Sequence, residues 1–313
     1  MNTTPVPSFM KDGSPPASLT ENRALNQGDY DKFIHPDDEA AIRFLKALPG
    51  FDVLVRATMA GTLEKMLYGQ CLGTSIKLGP NQLAEYYGLL TPVCEKFGIS
   101  PVPELFMEMS PIPNAYTFGD TKPFIVMSSG LLEHLTREEV QVCLAHECGH
   151  IVCGHSLYTM MSVVIESGIS WLPLSDIFRL PIYRWRRMSE FSADRAAAIF
   201  AGNSQKVINL LIRLSGGRHA HTHDVNLAAY QEQVKEYQTI INDTNVESAM
   251  QTYLLAFATH PFSSMRSHEI IKWTEGAAFS FLSKTIGTYD MRCSRCNAPM
   301  QGNTNICTNG HFC

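Results

Sequence analysis

Positive charge is scarce in this sequence. The 313 residues include 25 lysines and arginines but 30 aspartates and glutamates, so the formal net charge at pH 7 is −5. Nucleic-acid-binding domains usually present a concentrated basic surface, whereas the densest basic cluster here, residues 184–187, is interrupted by Trp185. The composition therefore argues against nucleic acid as a partner of this protein.

A long uninterrupted apolar run is also missing. The most apolar window, residues 156–174, contains Glu166, Gly168 and Pro173, whereas a helix that spans a bilayer needs about 20 mostly apolar residues. The N-terminal stretch is rich in Pro, Ser, Asn and Gly and lacks the apolar core of a secretion signal, so we expect a disordered tail over residues 1–35. Nine cysteines without such a signal favour the reducing cytoplasm.

The most specific feature that is present is the pentapeptide His-Glu-Cys-Gly-His at residues 146–150. Residues four apart share one face of a helix, so His146 and His150 can bind one zinc ion together. Glu147 then lies close enough to act as general base toward a water on that metal. The pattern His-Glu-x-x-His also arises by chance in unrelated helices. The surrounding sequence has to show whether these are metal ligands or ordinary helix residues.

The surrounding sequence favours a zinc site. Thr136 and Glu139 have the spacing of a capping box, which predicts a helix that begins just before the motif. A catalytic zinc needs a third protein ligand and one open position, and Glu190 begins a second helix-favouring segment. Asp194, on the same helix face, can accept a hydrogen bond from a ligand imidazole. The alternative is that both acids lie on a solvated helix face.

These residues resemble the two signatures of the HtpX-like zinc metallopeptidases, metallopeptidase family 48, which includes the CAAX prenyl endopeptidase. The resemblance covers about residues 75–275 and includes the segment 113–119 and the pair His260 and Arg266. It implies that this segment lines the cleft and pairs with an extended substrate. It also implies that His260 and Arg266 flank the reacting carbonyl and stabilise the oxyanion, although in some relatives the matching histidine instead holds the enzyme latent. The implied substrate-binding residues are Asn114, Ala115, Tyr116 and Thr117.

The residues themselves support part of this interpretation. Along residues 114–118 the side chains alternate in character, and turn-forming residues lie on both sides of the segment. A short strand has this pattern. The free edge of such a strand can bind an extended peptide through backbone hydrogen bonds, and the alternative is an ordinary sheet strand. For His260 and Arg266 the alternative is a surface turn followed by a helix.

A second group of metal-binding residues lies in the last twenty-one residues. This segment is too short for a core of its own, and a structural zinc would explain how it folds. The alternative is a loose tail of free thiols. Because His311 lies between the last two cysteines, either it or Cys313 can complete the site. The predicted cysteine ligands are Cys293, Cys296, Cys307 and Cys313.

The predicted fold is α+β and mainly helical. A zincin-like (gluzincin) catalytic domain at 74–286, with a small sheet beside the active-site helix, follows an N-terminal helical layer at 36–73 and precedes a zinc-ribbon-like module at 290–313. Residues 156–183 form an apolar insertion that we interpret as a lid, a protein interface or a peripheral membrane contact, with a buried helical hairpin as the alternative. The strands are predicted near 74–78, 104–108, 114–118 and 124–127.

The favoured function is a zinc-dependent endopeptidase for protein or peptide substrates, with one catalytic and one structural zinc ion. Zinc lowers the pKa of a bound water toward about 7, and Glu147 moves its proton. Two alternatives stay open. In one, the peptidase site is latent or vestigial and the C-terminal module binds a protein. In the other, zinc only joins helices. The sequence does not predict an oligomeric state.

Overall fold

Most of the chain is described by the computed structural model. The described residues are 23–51, 53, 55, 62–166, 175–222, 224–243, 249, 254, 258 and 260–287. Residues 1–22 of the predicted tail lie outside them, as does the predicted C-terminal zinc module with Cys293, Cys296, Cys307, His311 and Cys313.

Within these ranges the fold is mainly helical with one small sheet, which confirms the predicted α+β class. The helix predicted from the capping box begins at Arg137, directly after Thr136. The helices are α1 (Gln27–Tyr30), α2 (Pro36–Ala47), α3 (Thr62–Thr74), α4 (Ala84–Phe97), α5 (Ser129–His134), α6 (Arg137–Val152), α7 (Ser156–Glu166), α8 (Ser175–Ala201), α9 (Ser204–Gly216), α10 (His219–Thr222), α11 (Leu227–Asn242), α12 (Ser263–Thr274) and α13 (Ala277–Ile286).

The sheet is mixed, and one of its edges lies beside helix α6. Its strands are β1 (Ile76–Leu78), β2 (Glu104–Glu108), β3 (Ala115–Phe118) and β4 (Phe124–Ser128), in the order β1-β2-β4-β3. Strands β2 and β4 are parallel, and the other two pairs are antiparallel. Strand β1 begins later than predicted because helix α3 continues to Thr74, whose hydroxyl donates to the Gln70 carbonyl at 2.8 Å.

Helix α6 runs through the core of the molecule. From Glu139 to Val152 only His150 is not fully buried. The helix packs on α4, α8, α9 and strand β3, and its apolar side chains share one buried cluster with Leu105, Ile125 and Met127 of the sheet. The metal-binding motif therefore lies on a helix that is held from several directions.

The motif's glycine is what allows α6 and α8 to approach closely. A Cβ placed on Gly149 would lie 2.7 Å from the Cβ of Ala196 and 3.1 Å from the Cα of Ala193. No side chain fits in that space, so the backbone of α6 lies directly against the small residues of α8. This contact fixes the distance between the histidines of one helix and the acids of the other.

The N-terminal residues pack on this body more extensively than the sequence predicts. Residues 23–35 were expected in the disordered tail, but α1 has a complete capping box and Tyr30 and Phe33 are buried. The Tyr30 hydroxyl donates to the Phe97 carbonyl at 2.6 Å. The prediction is wrong for this stretch because its few apolar side chains bury against α4, which local composition does not reveal. Helix α2 packs in turn on α8 through Ile42 and Leu45.

The described part of the 156–183 insertion faces inward. Leu157 and Met160 pack beneath the sheet, and Phe178 and Ile182 join the cluster under α2. These contacts favour the buried-hairpin alternative for these residues. Among the described residues, no helix is both long enough and apolar enough to cross a lipid bilayer.

Replacing Gly149 by alanine tests the close contact between α6 and α8. Because the added methyl group has no space, we expect Gly149→Ala to lower the free energy of unfolding by about 1–3 kcal/mol. The matched control is Gly88→Ala on exposed α4 surface, where nothing lies within 4 Å and alanine should stabilise the helix by up to about 1 kcal/mol. Urea denaturation of both variants measures this, and equal stability would contradict the packing argument.

Candidate active site

The two histidines of the motif lie side by side on α6. Their Nε2 atoms are 3.2 Å apart and their ring centroids are 4.8 Å apart. The capping box that begins the helix is complete: the Thr136 amide donates to the Glu139 carboxylate at 2.8 Å, and the Glu139 amide donates back to the Thr136 hydroxyl at 3.3 Å. The i, i+4 spacing therefore places both imidazoles on one face, as predicted.

Glu190 reaches the same point from α8. One of its oxygens lies 3.3 Å from His146 Nε2, and the other lies 3.5 Å from His150 Nε2. Burial raises the pKa of Glu190, but the charges of His260 and Arg266 and the hydrogen bonds from both imidazoles hold it well below its ordinary value. Two imidazole nitrogens and one ionised carboxylate form a donor set that suits a catalytic zinc ion.

A second carboxylate, that of Glu147, also lies near the imidazoles. Ligand atoms of His146, Glu147 and His150 all lie within 4.8 Å of one another. Glu190 is better placed than Glu147 to be a third ligand, because its carboxylate contacts both Nε2 atoms. Glu147 Oε2 is already engaged by the Thr117 hydroxyl, which donates to it at 2.7 Å. Burial raises the pKa of Glu147, and the charge of His146 and the Thr117 hydrogen bond reduce that rise.

Asp194 and Arg266 lie behind the imidazole of His146. Asp194 Oδ1 is 3.0 Å from His146 Nδ1, which matches the predicted second N–H contact. Arg266 donates to both oxygens of Asp194, at 2.8 and 2.6 Å, and its third nitrogen lies 3.2 Å from Glu190. Arg266 as a whole is 8 % exposed. Arg266 therefore holds the two acids of α8 in place, a role different from the predicted contact with the oxyanion.

Strand β3 forms one wall of an open cleft in front of these residues. The Ser128 amide donates to the Asn114 carbonyl at 2.9 Å, and Tyr116 is opposite Val126 of β4. Since alternate residues of an antiparallel strand direct their backbone groups to the same side, Ala115 and Thr117 direct theirs away from β4. All four predicted substrate-binding residues line the cleft.

The rest of the cleft has one apolar wall and one polar wall. The cavity has a volume of about 260 Å³. His260 lies on the polar side, with a half-exposed side chain and its Nε2 3.6 Å from Glu190 Oε1. The apolar wall is formed by Leu131, Cys143, Leu210, Leu211 and Leu214. Both His260 and Arg266 line the cleft, but the guanidinium nitrogens of Arg266 contact Asp194 and Glu190.

Sequence reasoning missed two residues beside His150. The Nδ1 atom of His155 lies 2.9 Å from Nδ1 of His150, and its Nε2 lies 3.0 Å from Asp38 Oδ2. A signal for His155 was available, since it is a third histidine five residues after the motif. Asp38 gives no local signal, because it lies 117 residues earlier in the chain.

The chain is similar to known metallopeptidases over most of its length. The model of "Peptidase family M48" matches residues 89–274, more than half of the chain. Plastoglobule-localized metallopeptidase 48, chloroplastic, from Arabidopsis thaliana is 32% identical over 267 residues, covering 82% of this chain and 76% of that protein. Protease HtpX from Legionella pneumophila (strain Corby) is 26% identical over 215 residues, covering 58% and 73%. No solved structure gives a significant match.

Removing the Arg266 charge tests whether it holds the two acids. Without it Glu190 and Asp194 are buried with only imidazoles, such as that of His146, to balance their charge, so we expect Arg266→Met to lose about 3–5 kcal/mol of stability in metal-free protein. Added zinc should restore part of that loss. Arg266→Lys is the control that keeps a charge without the bidentate contact, and it should lose less. Thermal melts with and without zinc measure this, and equal melting temperatures for the two variants would contradict the assignment.

Proposed function

The chain belongs to peptidase family M48, and from that premise we propose that it is a zinc-dependent endopeptidase that cleaves protein substrates. Family membership makes it a metalloprotease. The observation that carries the finer proposal is the convergence of His146, His150 and Glu190 from two helices on one point of an open cleft. A purely structural metal would not need the cleft, so the geometry favours catalysis over helix joining.

His146, His150 and Glu190 would hold the zinc ion. Bound there, zinc supplies a Lewis acid that polarises the scissile carbonyl and makes water acidic enough to ionise near neutral pH. The protein's own contribution is to aim both Nε2 atoms at one point. The carboxylate of Asp194 does this for His146 by accepting its Nδ1–H.

Glu147 is the general base in this proposal. It accepts a proton from the attacking water and later delivers it to the leaving amine. Its side chain is buried, which raises its pKa toward the working pH and so improves it as a proton carrier. The Thr117 hydroxyl orients the carboxylate by donating to Oε2. Thr117, predicted from the sequence only as a substrate contact, therefore also positions the base.

The substrate binds in an extended conformation along β3. The outward backbone groups of Ala115 and Thr117 are the sites that an added peptide strand would use, so recognition depends on exposed extended segments more than on side chains. Asn114 contributes less, since its amide donates to the Ser128 hydroxyl at 2.9 Å and its carbonyl accepts from the Ser128 amide.

Of the two residues predicted to stabilise the oxyanion, His260 is the better placed. Its ring faces the cleft, whereas the donors of Arg266 are directed to Asp194 and Glu190. Hydrogen bonds aimed at the developing negative charge are among the strongest contributions to catalysis of acyl transfer. Arg266 acts as a positioning residue that keeps the carboxylates of α8 oriented.

The C-terminal cysteines and the location of the protein complete the proposal. A structural zinc would be held by Cys293, Cys296, Cys307 and either Cys313 or His311, which the sequence spacing supports.

The free cysteines among the described residues suit a reducing compartment, and we propose the cytoplasm. The Arabidopsis relative is named for chloroplast plastoglobules, so a chloroplast location is the competing proposal.

Glu147→Gln tests the role of the base. The substitution keeps the size of the side chain but cannot carry a proton, so we expect kcat on casein or a quenched peptide to fall at least about 100-fold. Zinc content, measured by mass spectrometry, should not change because Glu147 is not a ligand. Wild-type protein with a chelator is the control for metal dependence. Substantial turnover by the variant would contradict the mechanism.

Ala115→Pro tests recognition by the strand edge. Proline is tolerated on an edge strand where the N–H points outward, so the variant should fold and keep its zinc. Losing one backbone donor should raise KM and lower kcat/KM about tenfold. Ala115→Val, which keeps the amide, is the matched control. If both variants cleave a quenched peptide equally well, β3 does not bind substrate through this amide.

A further inference from the structure

The two histidines of the motif have different partners at Nδ1. His146 Nδ1 is 3.0 Å from the carboxylate of Asp194, whereas His150 Nδ1 is 2.9 Å from Nδ1 of His155. Ligand imidazoles usually give their second N–H to a carboxylate, a carbonyl or a water. The partner of His150 is itself an imidazole, which can either donate or accept a hydrogen bond at Nδ1. The position of the proton on His155 therefore decides which of the two it does.

Only one arrangement of protons suits both this contact and metal binding. A metal on Nε2 of His150 requires a lone pair there, so in the neutral ring the proton lies on Nδ1. His155 must then accept at Nδ1, which places its own proton on Nε2. The opposite tautomer of His155 would donate to His150 Nδ1 and leave a proton on the nitrogen that should bind metal.

Asp38 selects the required tautomer of His155. Its Oδ2 lies 3.0 Å from His155 Nε2, and an ionised carboxylate only accepts hydrogen bonds. The Ser192 hydroxyl donates to the same oxygen at 2.6 Å, and the Trp185 indole donates to Oδ1 at 3.1 Å. The Asp38 side chain is only 3 % exposed. We propose that Asp38, through His155, is a positioning residue that keeps His150 ready to bind the catalytic metal; this inference rests on the proposed zinc peptidase function.

The local chain path holds His155 over His150. Helix α6 ends at Val152, and Gly154 has a φ of 71°, a left-handed conformation that suits glycine. The turn brings the His155 amide within 2.9 Å of the His150 carbonyl, and the His155 ring packs edge-on against Trp185. His155 therefore has little freedom to leave its partner.

Asp38 belongs to α2, which lies outside the residues that the family model matches. The N-terminal layer thus contributes to the metal centre from a distance and does more than cover the core. Helix α2 is also bound to α8, because the amide of its N-cap residue His35 donates to the Ser192 hydroxyl at 2.9 Å. A purely structural role for Asp38 would hold α2 in place without any effect on metal affinity, and this difference can be measured.

The test compares zinc affinity in full-length Asp38→Asn and wild-type protein, by competition with a chelator. An asparagine can present its amide N–H to His155 and no longer selects one tautomer, so we expect zinc to bind 10- to 100-fold more weakly. The control is Leu45→Ala, which weakens the packing of the same helix on α8 but leaves the hydrogen bonds from Asp38 through His155 to His150 in place. It should lose stability and keep its zinc affinity. A chain with both His146→Ala and His150→Ala subtracts zinc bound elsewhere, including by the C-terminal cysteines.

The outcomes separate this inference from the proposed function. If wild-type protein binds no zinc beyond that subtracted background, both fail. If wild-type binds zinc and Asp38→Asn binds it equally well, or Leu45→Ala weakens it as much, only the positioning role fails. Nitrogen-15 NMR of the histidines in wild-type protein reports the proton positions directly, so this test does not depend on whether a variant folds. We expect the proton on Nε2 of His155 and on Nδ1 of His150, and the reverse pattern would overturn the inference.

Discussion

The candidate centre depends on how closely helix α6 can approach helix α8. The two imidazoles come from the first helix and the acids Glu190 and Asp194 come from the second, so the distance between the helices sets whether they meet. Gly149 and Ala196 permit an approach that larger residues would prevent. The motif therefore encodes packing as well as chemistry, since its glycine lies between the residues that would bind metal.

Burying so many ionisable groups is costly unless their charges are balanced. Arg266 balances part of the charge of three buried carboxylates, those of Glu147, Glu190 and Asp194, and when all three are ionised two negative charges remain. A divalent cation matches that excess. Without a metal a protonated imidazole of His146 balances one of these two charges. Burial lowers the pKa of His146, but the hydrogen bonds to Asp194 and Glu190 outweigh that effect and raise the pKa to about 10. Metal and proton thus compete for the same nitrogen.

The sequence predicted the parts of the site that local patterns encode. The capping box at Thr136 located α6, the spacing of the motif placed its imidazoles, and the residue pattern located β3 within one residue. Roles set by contacts between distant segments were not predictable. The guanidinium of Arg266, predicted to contact the oxyanion, instead donates to Asp194, 72 residues earlier.

The same reason explains the remaining differences. Thr117 was predicted only as a substrate-binding residue of the strand, but α6 brings Glu147 within reach of its hydroxyl. Asp38 lies in a helix predicted only as a covering layer. Residues 23–35 fold because they bury aromatic side chains against α4, 67 residues away in the case of Tyr30. In each case the deciding partner is far along the chain, so composition and periodicity do not contain the information.

The central claim is that one metal ion is bound by two histidines of α6 and one glutamate of α8. The most direct test is a crystal structure of the zinc-loaded protein with anomalous diffraction measured at the zinc edge. We expect a peak about 2.0–2.2 Å from Nε2 of His146, Nε2 of His150 and a carboxylate oxygen of Glu190. No peak at this point, or a zinc ion bound by Glu147 in place of Glu190, would contradict the account.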